Sequence, residues 1–137
     1  MSERKYWIHH AAISVENIEE SIEWYREKLG FELVSIEYIP PCRSNVATLS
    51  NGSFSLEIFL HDETVPLSES RKNPDLDPME QGTKHICFGT DDIDGMITDL
   101  KAKGVEILVG PVDVGGHTVY YISDNSGNPL ELMGLIS

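Results

Sequence analysis

Two residue types recur in the same order along this chain of 137 residues. His10 precedes Glu57 by 47 positions, and His85 precedes Glu131 by 46. Taken singly, a histidine in a strand is most often structural, and a glutamate there is most often solvated. Two imidazoles and two carboxylates at repeated positions are a ligand set for a divalent metal of borderline character. Neutral imidazoles with two carboxylates would leave a dication formally neutral. Four protein ligands on an octahedral ion leave two positions for water, or for two oxygens of a substrate.

Elements that could position such a set are written twice. HAAISVENIEESIEWYREKLGFELV, from His10, aligns with HICFGTDDIDGMITDLKAKGVEILV, from His85. Ile13 meets Phe88, Ile18 meets Ile93 and Ile22 meets Ile97; after one gap Gly30 meets Gly104. Further on, LEIF falls over LELM, so Glu57 meets Glu131. An internal repeat of this kind predicts two copies of one structural unit.

Each copy predicts a strand, a helix and three strands. In the first, a strand over 7–15 leads to a helix over 18–29. Asn17 is the expected N-cap, with Glu20 three residues on. Ile18, Ile22, Tyr25 and Leu29 form one apolar stripe, and Gly30 ends the helix. Strands over 31–39, 45–49 and 53–60 follow, with Asn51-Gly52 as a hairpin turn. In the second copy a strand over 83–90 leads to a helix capped by Asp92 and ending at Gly104. Strands near 106–109, 118–123 and 130–135 follow, with DNSGNP (124–129) as the last turn. The segment 61–82 holds three prolines and no periodicity, so it reads as a connector. One α+β domain results: module one at about 5–60, connector 61–82, and module two at about 83–136.

Alternation decides which of the adjacent histidines is the candidate. Ala11, Ile13 and Val15 share a face with His9, while Ala12 and Ser14 share the other with His10. The first face is bulkier and should pack under the helix. In the second copy Ile86 and Phe88 face the helix, leaving His85, Cys87 and Gly89 opposite. Leu56, Ile58 and Leu60 likewise put Glu57 and Phe59 away from the core, and Leu130 and Leu132 do so for Glu131. His9 then reads as a packing or partly exposed residue, and His117 as a hairpin-turn residue. Arg43 and Arg71 are weaker candidates for holding a substrate carboxylate.

Composition narrows the function further. Asp and Glu number 23 against 10 Lys and Arg, a net charge of −13. That balance repels phosphate backbones and argues against nucleic acid. No apolar run reaches the roughly 20 residues that span a bilayer, so no membrane partner is expected. MSERKYWIHH lacks a signal-peptide profile, and a cytoplasmic location is the expectation. With no export signal, Cys42 and Cys87 are expected to be free thiols.

The residues HAAISVENIEESIEWYREKLGFEL, HICFGTDDID and DNSGNPLEL resemble the vicinal oxygen chelate superfamily, which includes glyoxalase I, methylmalonyl-CoA epimerase and extradiol dioxygenases. The resemblance implies paired βαβββ modules whose curved mixed sheets form a cup around a metal. Carried over position by position, it implies metal ligands His10, Glu57, His85 and Glu131. Nickel, zinc or cobalt is the implied ion, with manganese or iron as alternatives. A glutamate at position 57 looks most like glyoxalase I, because the epimerase usually has glutamine there and the dioxygenases use no glutamate at that place. The implied activity is a glyoxalase I-like lyase or isomerase. It would move a proton through an enediolate on an α-hydroxycarbonyl or hemithioacetal, with Glu131 or Glu57 as base, in a homodimer. Where glutathione-binding members often carry arginine four residues after the first histidine, this chain has Ser14. The alternatives are an epimerase or dioxygenase of the same superfamily, or a small-molecule binding protein using Trp7, Trp24 and Phe59.

Overall fold

In a computed structural model that describes residues 5–135, the chain divides into two compact units, Met1–Thr64 and Val65–Ser137. Each is a four-stranded mixed sheet with one α-helix. The first unit runs β1 (Ala11–Ser14), α1 (Ile18–Leu29), β2 (Glu32–Ile39), β3 (Ser44–Ser50) and β4 (Ser55–His61). Its strand order is β1-β4-β3-β2, with β1 parallel to β4 and the other pairs antiparallel. The second unit runs β5 (Ile86–Thr90), α2 (Ile93–Ala102), β6 (Val109–Val114), β7 (His117–Ser123) and β8 (Pro129–Gly134), in the order β5-β8-β7-β6 with the same directions. The doubled βαβββ unit and the α+β class are as the repeat implies.

Helix α1 keeps its expected bounds because its ends are chemically marked. The Asn17 side chain accepts a hydrogen bond from the Glu20 N–H at 3.0 Å, satisfying one orphan donor of the first turn. Glu19 and Glu20 lie at the positive end of the helix dipole, and Arg26 and Lys28 at the negative end. Gly30, with φ 73°, adopts the left-handed conformation that closes the helix. The buried stripe of Ile18, Ser21 and Tyr25 packs with the sheet residues Ala47, Leu49, Leu56 and Ile58, all of them inaccessible to solvent. Tyr25 and Phe31 meet edge to face at 5.9 Å.

In the second unit Asp92 caps α2 by accepting from the Gly95 N–H at 3.0 Å. Ile97 and Leu100 bury against a core that includes Ile122, Leu130 and Leu132. The helix start lies so close to β8 that a Cβ on Gly134 would sit 2.9 Å from an Ile93 carbon. Glycine there is a packing requirement.

Three expectations shift. The first strand begins at Ala11, since residues 5–10 make no ladder. The strand expected near 106–109 lies instead at Val109–Val114. Gly110 and Pro111 lie within it, and because β6 is an edge strand the missing N–H costs no ladder bond. They fall in the register shift between Val109 and Val112. His117 opens β7, and the turn is made by Gly115 and Gly116.

The connector is more structured than its prolines suggest. His61 is the last residue of β4, and two short 3-10 turns follow at Glu69–Lys72 and Asp77–Met79. From Val65 onward the segment belongs to the second unit. Asp77, buried, ties it down: its carboxylate accepts from Arg71 at 2.9 Å and meets Lys84 Nζ at 3.4 Å. Arg71 also donates to the carbonyl of Thr83 at 2.8 Å, and Lys84 to the carbonyls of Asp77 and Glu80. Burial alone would push the Asp77 carboxyl up; the hydrogen bonds and charges of Arg71 and Lys84 outweigh it and hold the group below its usual range.

Candidate metal centre

Register places each candidate carboxylate beside its histidine strand. β1 and β4 pair in parallel with Ala12 opposite Glu57. His10, two residues before Ala12, continues the same side of the sheet. Its Nε2 lies 3.3 Å from Glu57 Oε2. In the second unit Cys87 stands opposite Glu131, and His85, two residues earlier, brings its Nε2 to 3.4 Å from Glu131 Oε1. In both units the pair lies on the side away from the helix. Leu56 and Ile58 flank Glu57 and are fully buried, as are Leu130 and Leu132 around Glu131. The side chains of the pairs stay partly open, at 36% and 26% exposure in the first unit and 29% and 13% in the second.

The donor chemistry fits a divalent ion. Donors held about 2.1 Å from a metal lie roughly 3.0–3.4 Å from each other at octahedral or tetrahedral angles. Each pair presents one imidazole nitrogen and one carboxylate oxygen at such a separation. His10 Nδ1 is 2.8 Å from His9 Nδ1. With the hydrogen of that contact on His10, Nε2 keeps its lone pair for a ligand. His9, of the two placements expected for it, is exposed and touches the candidate ligand. Among the described residues no group of three or more His, Cys, Asp and Glu forms a metal-holding cluster. The structure brings each His–Glu pair together within its own unit.

The second pair has company that the first lacks. Tyr121, on β7 directly opposite Glu131, donates its hydroxyl to Glu131 Oε2 at 3.0 Å. Its ring meets the His85 ring edge to face at 5.3 Å. Burial first, then the hydrogen bond to Glu131, pushes the Tyr121 phenol up to about 12. The Cys87 thiol, across the register from Glu131, rises to about 12, chiefly through desolvation and then through the influence of the Glu131 carboxylate, although the residue as a whole is exposed. Both groups remain protonated donors near neutral pH, so Cys87 is not a thiolate nucleophile. Tyr121 was missed in the sequence reading. Its alternation with the helix-side Tyr120 and Ile122 carries the signal, but only the β7–β8 register connects it to Glu131.

Other candidates are otherwise engaged. Arg71 is held by Asp77 and Glu80 and by backbone carbonyls. Arg43 pairs with Asp62 and Glu63 beyond the end of β4. His117 Nδ1 contacts the Gly134 carbonyl at 3.1 Å. The cysteines are free.

An α+β chain built from two βαβββ units, each with a His–Glu pair on its open sheet face, belongs to a recognisable structural class. Residues 7–132 match the Glyoxalase/Bleomycin resistance protein/Dioxygenase superfamily, and the chain belongs to it. The structure is similar to the glyoxalase family protein from Enterococcus faecalis, with a TM-score of 0.77 and 30% identity, covering 93% of this chain and 96% of that one. The lactoylglutathione lyase of Haemophilus influenzae is 27% identical over 130 residues, covering 90% of this chain and 89% of the relative. The mitochondrial methylmalonyl-CoA epimerase of Mus musculus is 28% identical over 112 residues, covering 80% of this chain and 60% of the relative. The superfamily contains enzymes acting on small molecules. No described helix is long and apolar enough to cross a membrane.

Proposed function

We propose that the chain is a metal-dependent, glyoxalase I-like lyase or isomerase acting on a hemithioacetal or related α-hydroxycarbonyl, as a homodimer. The observation that carries this reading is the repeated pair: the same imidazole nitrogen beside a glutamate oxygen at 3.3 and 3.4 Å, in two copies of one sheet. His10, Glu57, His85 and Glu131 would hold one divalent ion, with nickel, zinc or cobalt favoured by the mixed nitrogen and oxygen donors. When bound, such an ion supplies Lewis acidity at a substrate oxygen and lowers the pKa of the neighbouring carbon acid.

The side chains do the rest. A glutamate carboxylate accepts the proton from one substrate carbon and returns it to the adjacent carbon, so that no net proton is gained or lost. His10 and His85 would present Nε2 to the ion beside the glutamate oxygens. The protonated phenol of Tyr121 keeps a hydrogen bond on Glu131 throughout.

Charge placement favours a hemithioacetal over the acyl-CoA substrate of the epimerase relative. Every described lysine and arginine lies on a helix, in the connector or a turn, or ahead of a strand; the eight strands carry neither. The sheet faces that bear the pairs thus offer no fixed cation to a polyphosphate. The purified protein, loaded with zinc, nickel or cobalt, should isomerise the hemithioacetal of methylglyoxal with at least one of several thiols. Failure with every metal and thiol, or full activity in both Glu57→Gln and Glu131→Gln, would overturn the proposal.

A further inference from the structure

His85 lies one residue ahead of β5, so the ladder that fixes the chain from Ile86 onward does not reach its backbone. The connector holds this lead instead. One Arg71 guanidinium nitrogen donates to the carbonyl of Thr83 at 2.8 Å and reaches that of Lys84 at 3.4 Å. The Lys84 ammonium donates to the carbonyls of Asp77, at 2.8 Å, and Glu80. Asp77 joins the two cations. Its carboxylate accepts from Arg71 Nε at 2.9 Å and lies 3.4 Å from Lys84 Nζ, with its side chain only 3% exposed. The two residues directly before His85 are thus tied at both carbonyls and at one ammonium.

The same segment meets the turn that leads into β8. A Cβ on Gly127 would lie 3.1 Å from Lys72 Cγ, so the stem of Arg71's neighbour packs on that turn, four residues before Glu131. The lead into β1 is different in character: residues 5–10 are exposed throughout.

A buried ion cluster is a weak source of net stability, because desolvation of its charges offsets their attraction. What it supplies is direction, since each charge-assisted donor fixes an angle as well as a distance. We propose that Asp77 is a positioning residue for the second His–Glu pair. By holding Arg71 and Lys84 it fixes the backbone of Thr83 and Lys84, and with it the place at which His85 presents Nε2 beside Glu131. The expected effect on zinc rests on the reading of the four residues as one metal site; the expected effect on the His85 ring does not.

Two readouts separate these. In the metal-free protein, nitrogen–proton correlation spectra of the histidine rings, assigned with His10→Gln and His85→Gln, should show the His85 signals displaced in Asp77→Asn and the His10 signals in place. In chelator competition Asp77→Asn should bind zinc about tenfold more weakly, the lower end for a group acting behind a ligand. Arg71→Lys keeps a charge beside Asp77 and gives up the donation to the two carbonyls. It should show both effects, and it decides the matter if Asp77→Asn does not fold. Leu100→Ala, a truncation in the core under α2 of the same unit, loses comparable stability and should change neither readout. With zinc bound by the wild type, unchanged affinity or unmoved His85 signals in the folded variants would overturn the proposal, as would equal losses in Leu100→Ala. A wild-type protein that takes up no zinc would overturn the metal reading, and the His85 signals would then decide alone: displaced in Arg71→Lys, the positioning role stands; unmoved, it falls.

Discussion

Thr48 stands opposite Glu57 in the first sheet, and Tyr121 stands opposite Glu131 in the second; Ala12 and Cys87 occupy the other flank. The backbone register is the same, and the His–Glu separations differ by only 0.1 Å. What has diverged is the side chain one strand away. The first carboxylate keeps small neighbours and one contact; the second is held by a phenol and has a thiol across the register. A duplicated fold supplies two copies of a His–Glu pair at no further structural cost.

A second contrast lies in how the pairs are supported. His10 follows a lead of exposed residues, and its Nδ1 contact is to exposed His9. His85 follows Lys84, whose ammonium is bound to the carboxylate and carbonyl of buried Asp77. The largest effect that would sharpen this contrast is Asp77→Asn. Removing one partner of a buried ion pair costs about 3–5 kcal/mol. The lower end is expected, because Arg71 and Lys84 keep part of their side chains in water. The carboxyl is held below its usual range, so its contribution is present above the unfolded pKa of about 4 and is lost as pH falls through the lower folded value. Urea unfolding should therefore show a wide gap between wild type and Asp77→Asn at pH 7 that closes in strong acid. A gap independent of pH would break the assignment.

Smaller is the matched pair of cap substitutions. Asn17 and Asp92 each accept from a backbone N–H three residues ahead at 3.0 Å. Asn17→Ala and Asp92→Ala should each cost about 1 kcal/mol in urea unfolding. Strongly unequal losses would show that the two helix starts are less alike than their geometry.

The smallest effect concerns Cys87, where the first sheet has Ala12. A thiol pushed up to about 12 is only about one part in 10⁴ thiolate at pH 8. Alkylation of Cys87 by iodoacetamide should be slow there and still rising at pH 10. Glu131→Gln should accelerate it by removing the neighbouring negative charge. A rate that levels off near pH 9 would place the carboxylate away from the sulfur.

Much of this comparison was legible in the sequence, because local chemistry marks it. Asn17 and Gly30 delimit α1, and Asp92 starts α2. The alternation of Leu56, Ile58, Leu130 and Leu132 placed Glu57 and Glu131 on the open side of their strands. The equivalence of the two modules came from matched spacing. Features that escaped depend on register or on contacts between distant segments. Tyr121 matters through the residue opposite it on β8. β6, expected near 106–109, lies at Val109–Val114 and includes Gly110 and Pro111, which its edge position tolerates. The connector's order rests on Asp77 meeting Arg71 and Lys84, a buried charge that composition cannot distinguish from a solvated one. His9 gained a role through one nitrogen contact that alternation does not reveal.

Metal content by elemental analysis bears most directly on the central claim. Wild-type protein loaded with zinc and freed of excess ion should carry close to one ion per chain. His10→Ala and His85→Ala should each lose most of it while remaining folded by circular dichroism. Full zinc content in either folded variant, or none in the wild type, would contradict a centre that needs both His–Glu pairs.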